Sequence, residues 1–248
     1  MTQKEQNDEL VLDCLLLAGQ IMMESGAETY RVEDTMLRMA RSQNIDTQSY
    51  VTPTGIILSL GKHTKITSIT TRITDLHKIA KVNNISRKLT LQIISLEQAY
   101  YELRLVQKTN YFLPNWLQVL MSAISSTCFL ILFQGDWIDM PAAFIAGGFG
   151  YLIFLISQQL TRVKYFSEFI SSLTIAIIAF CAVWFDVGQE FDKIVISAVM
   201  PLVPGVLITN AVRDMMAGHL TAGIAKGTEA LLTASAIGSG VAVVVAFF

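Results

Sequence analysis

The chain has 248 residues, 52% of them hydrophobic and 15% charged, and its formal net charge is −2. This composition is too apolar for one ordinary soluble domain, and the charge gives no sign of nucleic-acid binding. The charges are unevenly spread, since residues 1–113 carry 13 basic and 12 acidic side chains and residues 114–248 carry only 5 and 8. This split predicts a polar domain over residues 1–113 and a membrane domain over residues 114–248.

The cysteines and the first residues bear on the cellular compartment. Cys14, Cys128 and Cys181 are far apart and follow no metal-ligand spacing, so we expect reduced thiols and no metal site. Residues 1–9 are polar and mixed in charge, unlike a secretory signal peptide. We therefore expect the polar domain to stay in the cytoplasm.

The polar domain begins with two predicted helices. Apolar residues recur at helical spacing over residues 8–24. Ser25, with Glu28 three residues later, fits a capping box that opens a second helix ending near Arg41. Glu28 is then a capping carboxylate. The alternative is that Glu28 and Arg31 form a functional pair facing the mouth of the membrane domain.

A small sheet and two further helices follow. β-Branched residues dominate residues 46–72, which predicts three short antiparallel strands. Asp75 is a candidate N-cap for a helix ending at Asn83 or Asn84, and Thr90 for the next helix. Together these elements predict an α+β domain.

Motifs of enzyme active sites do not occur in the sequence. It has no nucleophile elbow, phosphate-binding loop, dinucleotide glycine motif or paired-cysteine motif, so we expect neither catalysis nor a cofactor. One alternative is a membrane enzyme that uses Glu28, His63 or His77 as acid or base, which requires these residues to converge in a deep pocket. Surface histidines are the simpler interpretation.

Five apolar segments of the second half are each near the twenty or so residues that a helix needs to cross a membrane. Glycines in two of them indicate closely packed helices, among them Gly147 and Gly240. Glu168, at the cytoplasmic start of the third segment, is interpreted as an interfacial carboxylate rather than a buried proton carrier. The predicted spans are residues 116–134, 140–160, 167–185, 191–209 and 228–248.

Basic residues in the connecting loops predict the orientation. Arg162 and Lys164 lie in the loop of residues 161–166, and Arg213 and Lys226 in the loop of residues 210–227. The other two loops are mainly acidic. The positive-inside rule therefore places the two basic loops in the cytoplasm and the C-terminus outside.

The fourth apolar segment is interrupted by Pro201, Pro204 and Gly205. Proline breaks or kinks a helix, and in lipid such a break survives only where protein or a wet cavity satisfies the freed backbone groups. Discontinuous helices of this kind form binding sites in many transporters. A helix restarting after Pro204-Gly205 would also point its positive end at a bound carboxylate.

Polar residues follow the break: Asn210, Arg213, Asp214, His219 and Lys226. Asn210 and Asp214 are four residues apart and share one helical face. Asp214 could relay a proton or form a salt bridge with Arg213 or Lys226. The alternative is that these charges are ordinary cytoplasmic loop residues.

The sequence resembles the threonine/serine exporter family in two places. The matching residues are Ser25-Gly26-Ala27-Glu28, then Pro204-Gly205, Asn210-Ala211, Asp214, Gly218-His219 and Gly223. The resemblance implies a cytoplasmic α+β domain followed by membrane helices. Single-chain members have more than five spans, so it further implies the large subunit of a split, two-component branch that pairs with a small membrane subunit. Members of that branch are implied to export succinate, and other members threonine and serine.

We therefore expect an α-helical polytopic membrane protein with five spans, the fourth broken at Pro-Gly. Its expected role is a subunit of a secondary exporter of small carboxylates in the bacterial inner membrane. Amino-acid export and a non-transporting regulatory role are the alternatives. Expected partners are the small subunit, further copies of the chain, the bilayer and a small carboxylate or amino-acid substrate, without nucleic acid. The expected transport path comprises Pro201, Pro204, Gly205, Asn210, Arg213, Asp214 and Lys226, and the expected gate or coupling residues are Glu28, Arg31, Glu168 and His219.

Overall fold

A computed structural model describes residues 3–61, 63–110, 112–161 and 163–247, with the side chains of residues 3–7 and 164 excepted. The chain divides into two compact units. The first combines Met1–Tyr111 with Val206–Gly227, and the second combines Phe112–Gly205 with Thr228–Phe248. The predicted division into residues 1–113 and residues 114–248 does not anticipate that residues 206–227 belong with the N-terminal part.

The first unit consists of helices packed against one face of a three-stranded antiparallel sheet of order β1-β2-β3. It also contains most of α9 (Gly205–Met216) and the start of α10 (Leu220–Val245). Its other elements are α1 (Gln3–Glu24), α2 (Thr29–Ser42), β1 (Gln48–Thr52), β2 (Gly55–Leu60), β3 (His63–Ser68), α3 (Leu76–Thr90) and α4 (Leu96–Lys108).

Helix α1 lies at the centre of the first unit, where it packs against α2, α3, α4 and β2. Val51 pairs with Ile56 across β1 and β2, and both side chains are buried, as is Leu58. The polar strand β3 pairs only with β2 and is mostly exposed. The alternation of apolar and polar residues thus turns one sheet face toward the helices, as expected for a half-buried antiparallel sheet.

The capping prediction at the start of α2 is wrong. Glu28 itself occupies the N-cap position, and its side chain makes no capping hydrogen bond. Ser25 belongs to the turn that ends α1, where its N–H donates to Ile21 O at 3.0 Å. The capping box therefore fails because the turn is longer than the pattern assumes.

The predicted end of α3 and the predicted cap of α4 are also wrong. Helix α3 continues past Asn83 and Asn84 to Thr90, because Ile85 and Leu89 extend its buried face. Asparagine costs a helix interior only about 0.7 kcal/mol relative to alanine, which this burial outweighs. Helix α4 is capped by Ser95, whose side chain accepts the N–H of Gln98 in a capping box.

The second unit is built from long apolar helices around α6, which packs against α5, α7 and α8. Its small buried core includes Ala146, Ile175, Ala179 and Ile194. Its elements are α5 (Asn115–Leu132), a 3-10 turn (Trp137–Asp139), α6 (Met140–Thr161), α7 (Lys164–Trp184), α8 (Phe191–Val199), a 3-10 turn (Met200–Leu202) and the rest of α10. Arg162, one of the two basic residues of the second loop, lies outside the described residues.

Among the described residues, four helices are long and apolar enough to cross a membrane, or up to five if the bent pair Phe191–Leu202 and Gly205–Met216 forms one span. Pro204 lies in that bend, between the 3-10 turn and the first residue of α9. The predicted loop of residues 210–227 is wrong, because α9 continues to Met216 and α10 begins at Leu220. The chain is thus a mostly helical protein with several candidate spans.

Glycine at position 240 permits close contact between α10 and α7. A Cβ there would collide with Ser172 Oγ and come within 2.5 Å of Phe169 O and 3.0 Å of Leu173 N. Two of these atoms belong to backbone, which cannot move aside cheaply. A Cβ at Gly238, two residues earlier in the same helix, would meet no atom within 4 Å.

We predict that Gly240→Ala lowers the free energy of unfolding by about 1–3 kcal/mol, the usual range for overpacking. Gly238→Ala is the matched control and should be neutral or slightly stabilising, because alanine favours helix more than glycine. The measurement is the unfolding midpoint of the purified protein in detergent micelles. Equal midpoints for the two variants would contradict this account of the α7–α10 contact.

Candidate functional site

The turn between α1 and α2 presents four consecutive residues, 26–29, to the C-terminal part of the first unit. Helix α1 ends where Gly26 adopts φ = 80°, a left-handed conformation that glycine adopts without strain. Ala27 N–H then bonds back to Met22 O at 3.0 Å. The carbonyls of residues 26 and 27 and the first N–H of α2 have no partner in α1 or α2, so they need partners from elsewhere.

Helices α9 and α10 form a tight hairpin. Gly218 has φ = 89°, and His219 N–H donates to Asp214 O at 2.9 Å, which ends α9 in a glycine C-cap. At Gly223 the start of α10 passes so close to α9 that a Cβ there would lie 2.8 Å from Ala211 O. One turn of helix later, this contact brings Lys226 beside Asp214.

The centre of the site is a buried ion pair between Lys226 and Asp214. Lys226 Nζ lies 2.7 Å from Asp214 Oδ2, and the two side chains are only 4% and 0% exposed. Thr29 supplies two further donors to the carboxylate, its backbone N–H at 2.8 Å and its hydroxyl at 2.9 Å. Lys226 also donates to Ala27 O at 3.1 Å and to Thr29 Oγ1 at 3.2 Å. The ammonium group therefore has three acceptors and the carboxylate three donors.

Asp214 also acts as the N-terminal cap of α2. The local N-cap residue, Glu28, offers no side-chain acceptor to the helix. The carboxylate of Asp214, 185 residues away in sequence, accepts the N–H of Thr29 instead. A carboxylate at a helix N-terminus gains from the helix dipole as well as from the hydrogen bond.

A second layer of polar contacts surrounds this pair. Asn210 Nδ2 donates to Gly26 O at 2.8 Å, and Arg213 Nη1 donates to Glu28 Oε1 at 2.7 Å. Arg31 Nη1 lies 3.3 Å from the other oxygen of Glu28. Glu28 is buried, which alone would raise its pKa, but the hydrogen bond and charge of Arg213 and the charge of Arg31 hold the pKa below its usual range. The carboxylate is thus stabilised in its charged form.

His219 joins the periphery of the same cluster. Its Nε2 lies 3.4 Å from Glu33 Oε2, and the Ser49 hydroxyl donates to the other oxygen of Glu33 at 3.1 Å. These groups are partly exposed. They extend the polar surface of the cluster along the first turns of α2.

The structure brings together seven of the predicted site residues, all in the first unit: Glu28, Arg31, Asn210, Arg213, Asp214, His219 and Lys226. Asp214 and Lys226 are therefore not ordinary loop charges. Pro201, Pro204, Gly205 and Glu168 belong to the second unit. There Glu168 is 3% exposed and accepts the Thr233 hydroxyl at 3.3 Å, so its side chain is buried against α10.

Thr29 is the functional candidate that the sequence interpretation misses. Its hydroxyl and its N–H both bind Asp214, and the residue is fully buried. The only local signal is a hydroxyl residue directly after a glycine turn, at the first position of a helix. Nothing local indicates that its partner lies in α9.

The chemistry of the cluster is recognition of carboxylates. A backbone N–H, a hydroxyl and an ammonium group converge on one carboxylate, and two guanidinium groups flank a second. Over the described ranges, no group of three or more histidine, cysteine, aspartate or glutamate side chains is placed to hold a metal ion. The cluster is therefore suited to charge pairing and to conformational latching.

The comparisons with known proteins place this chain in a family. The model of the putative threonine/serine exporter family matches residues 13–248. The chain belongs to this family. It is therefore a membrane protein of a transporter family, and the resemblance inferred from the sequence is confirmed.

Individual relatives share about a quarter of their residues with the chain. It is 25% identical to the probable succinate transporter subunit YjjP of Klebsiella aerogenes, over 94% of the chain and 90% of that protein. It is 22% identical to a probable threonine/serine exporter of Mycobacterium tuberculosis and 26% identical to the pheromone-regulated membrane protein 10 of Kluyveromyces lactis, and it spans only 45% and 25% of their lengths. No solved structure matches the chain.

We predict that Lys226→Met lowers the free energy of unfolding by about 3–5 kcal/mol, because it leaves the buried charge of Asp214 unpaired. The double variant with Asp214→Asn should recover much of this loss. Lys65→Met is the matched control. Lys65 pairs with Asp13 at 2.6 Å, but both side chains are partly exposed, so the loss should stay below about 1 kcal/mol. The free energy of unfolding is measured by denaturant titration in micelles. Equal losses in Lys226→Met and Lys65→Met would contradict the burial of the pair between Lys226 and Asp214.

The lowered pKa of Glu28 predicts a pH-dependent contribution to stability. A carboxyl whose pKa is lower in the folded state stabilises the protein above the unfolded pKa of about 4.3, and loses this effect as the pH falls through the folded value. Glu28→Gln should therefore lower the free energy of unfolding by about 1–2 kcal/mol relative to the wild type at neutral pH. This difference should become smaller under acid conditions. Glu102→Gln is the control, since Glu102 pairs with Lys88 at the surface at 3.4 Å. A difference in free energy of unfolding between Glu28→Gln and the wild type that does not change with pH would contradict a stabilising role for the ion pairs of Glu28.

Proposed function

We propose that the chain is a subunit of a secondary exporter that moves small carboxylates out of the cell, with a succinate-like dicarboxylate as the first candidate substrate. Membership of the exporter family supports this proposal. The relative from Klebsiella aerogenes, named as a probable succinate transporter subunit, supports the dicarboxylate, because the chain spans 90% of its length. The sequence has no nucleotide-binding motif, which favours a driving force from an ion or substrate gradient.

The observation that carries the proposal is the cradle formed by Thr29 and Lys226 around the carboxylate of Asp214. The donors of this cradle suit any carboxylate of a small substrate equally well. In our proposal Asp214 occupies the cradle in the latched state, and a substrate carboxylate competes for the same donors. Release of Asp214 would free the α9–α10 hairpin from the α1–α2 turn, so the cluster would act as a gate.

Glu28 and Arg213 extend this mechanism to the second carboxylate of a dicarboxylate. The side chain of Arg213 is 62% exposed although it pairs with Glu28, so a ligand can reach it. A substrate carboxylate would compete with Glu28 for Arg213 and Arg31. A dicarboxylate could thus replace both internal carboxylates, whereas a monocarboxylate could replace only one.

The membrane arrangement is part of the same proposal. We infer that α8 and α9 form one broken span at Pro204, that the N-terminal domain lies in the cytoplasm and that the C-terminus lies outside the inner membrane. We also infer that a small membrane subunit covers the helices. The word subunit in the name of the Klebsiella relative supports this.

Export of threonine and serine is the second candidate function. The description of the family model and the name of the mycobacterial relative favour it. An amino acid also carries a carboxylate, so the cradle would accept it. Its ammonium group would then have to find an acceptor, for which Glu28 is the nearest candidate on the exposed side of the cluster.

The test is transport by proteoliposomes that contain the chain together with the small family subunit from the same cells. Labelled succinate, threonine and serine are loaded in turn, and efflux is measured. We predict that Asp214→Asn lowers the rate of succinate efflux by about tenfold or more, equivalent to roughly 1.4 kcal/mol, because an amide cannot pair with the buried ammonium of Lys226. Asp34→Asn, which changes an exposed pair with Arg38 on α2, is the matched control and should leave the rate unchanged.

Each outcome bears on one of the candidate functions. Efflux of threonine and serine without succinate would replace the first candidate by the second. A wild-type complex that moves none of the three substrates would overturn the proposal. An Asp214→Asn complex that assembles and transports normally would indicate that this cluster has no part in the gate, as expected for a regulatory subunit.

A further inference from the structure

Asp139 is a fully buried acidic residue in the second unit that the proposed gate does not use. It ends the 3-10 turn Trp137–Asp139, directly before α6, and its exposure is 0%. Its Oδ1 accepts the backbone N–H of Gln189 at 2.5 Å. Its Oδ2 has no hydrogen-bond partner among the residues that the structure describes.

The backbone of the loop between α7 and α8 closes over this carboxyl group. A Cβ at Gly188 would lie 3.2 Å from Asp139 Oδ1 and 2.9 Å from Ile194 Cδ1. The side chain of Ile194 is fully buried. Asp139 is therefore fully buried, with the backbone of this loop and the apolar side chain of Ile194 on one side of it.

The charged groups of the neighbouring elements do not neutralise Asp139. Its own turn contributes Asp136, the α7–α8 loop contributes Asp186 and Glu190, and α8 contributes Asp192 and Lys193, whereas α6 carries no charged residue. Lys193 pairs with Glu190 at 2.7 Å and donates to Gln134 O at 2.9 Å. Among the described residues no ion pair to Asp139 is formed, and the charged residues of these neighbouring segments are mostly acidic.

The side chain of Asp139 can be an ionised carboxylate or a neutral acid, and we compare the free-energy cost of burying each form. An ionised carboxylate with a single hydrogen bond in a dry interior costs several kcal/mol or more, whereas an unpaired polar atom of a neutral group costs about 1–3 kcal/mol. The neutral acid keeps the acceptor for Gln189 N–H on Oδ1 and places the proton on Oδ2. We propose that Asp139 is a proton-binding site, with the proton carried on Oδ2.

In the exporter, this site would couple proton entry to substrate export, a step that rests on the proposed function. The loop charges predict that the end of the second unit near Asp139 faces outside. A proton taken from outside water would form the Oδ2–H bond, and breaking that bond would release the proton to water on the cytoplasmic side. The acidic residues around the site favour proton uptake over anion binding.

Infrared difference spectroscopy tests the proton directly, without transport. The purified protein is compared between acid and alkaline buffer for the C=O stretch of a protonated, buried carboxyl group. The wild type should show this band, and Asp139→Asn should lose it. Asp136→Asn, an exposed acid three residues earlier, is the matched control and should keep the band.

An unchanged band in Asp139→Asn would overturn the proposal, and so would the absence of a band from the wild type. The asparagine variant should fold, because its amide oxygen still accepts Gln189 N–H. Should it fail to fold, Asp139→Glu provides the second measurement. It should keep a carboxyl band at a shifted frequency, and an unshifted band would count against Asp139 as its source.

The transport assay separates the failure of this inference from the failure of the proposed function. In proteoliposomes, the wild-type efflux of labelled substrate should increase when the outside is made acidic, and Asp139→Asn should lose this dependence while Asp136→Asn keeps it. Wild-type efflux that follows a sodium gradient, or an unchanged pH dependence in Asp139→Asn, would overturn the coupling role. A wild type that transports nothing would defeat the exporter proposal, and the infrared band would still decide whether Asp139 binds a proton.

Discussion

The first unit depends on the ion pair between Asp214 and Lys226. The hydrogen bonds of this pair to Thr29 and Ala27 join the two parts of the unit across 185 and 199 residues of sequence. Burying two charges is costly, and their attraction offsets the cost only when the remaining donors and acceptors are also satisfied. Thr29 and Ala27 satisfy them, since both oxygens of the carboxylate and all three protons of the ammonium group have partners. The pair is therefore stable only with the α1–α2 turn in place, and the turn is satisfied only with the α9–α10 hairpin in place. This mutual dependence explains why residues 206–227 belong with the N-terminal part of the chain.

Such a contact tends to have two states rather than many. Loss of any one donor leaves a buried charge partly unsatisfied, so small displacements of the hairpin are disfavoured and complete separation becomes the alternative. Pro204 directly precedes α9 and Gly205 is its first residue, so together they provide a backbone interruption where the helix can change direction. The gate that we propose requires a discrete latch and a nearby interruption of the backbone, and residues 204–226 contain both.

Local patterns predicted most elements of the fold, whereas contacts between distant residues decided the rest. Helical periodicity located α1, α2 and the apolar helices, and β-branched residues located the sheet. The start of α2 was missed because its capping group comes from Asp214, and the extent of α3 was missed because burial of Ile85 and Leu89 outweighs two asparagines.

Polar residues at 210–226 indicated a candidate site because they follow a proline break. Their partner Thr29 could not be found, since no local signal links positions 185 residues apart. Asp139 resembled a loop acid because its burial is set by the α7–α8 backbone.

The two buried aspartates of the chain's C-terminal half, Asp139 and Asp214, differ in the number and charge of their hydrogen-bond donors. Asp214 receives three donors, one of them an ammonium group, so it keeps its charge and holds structure together. Asp139 receives one backbone donor amid acidic neighbours, so neutralisation by a proton costs less than keeping a charge. In our proposals the first arrangement forms the latch and the second binds the proton. In a transporter driven by a proton gradient these are separate requirements, because a latch should not open with each change of pH, whereas a coupling site must respond to it. Placing them on different carboxylates, in different units, lets one chain meet both requirements.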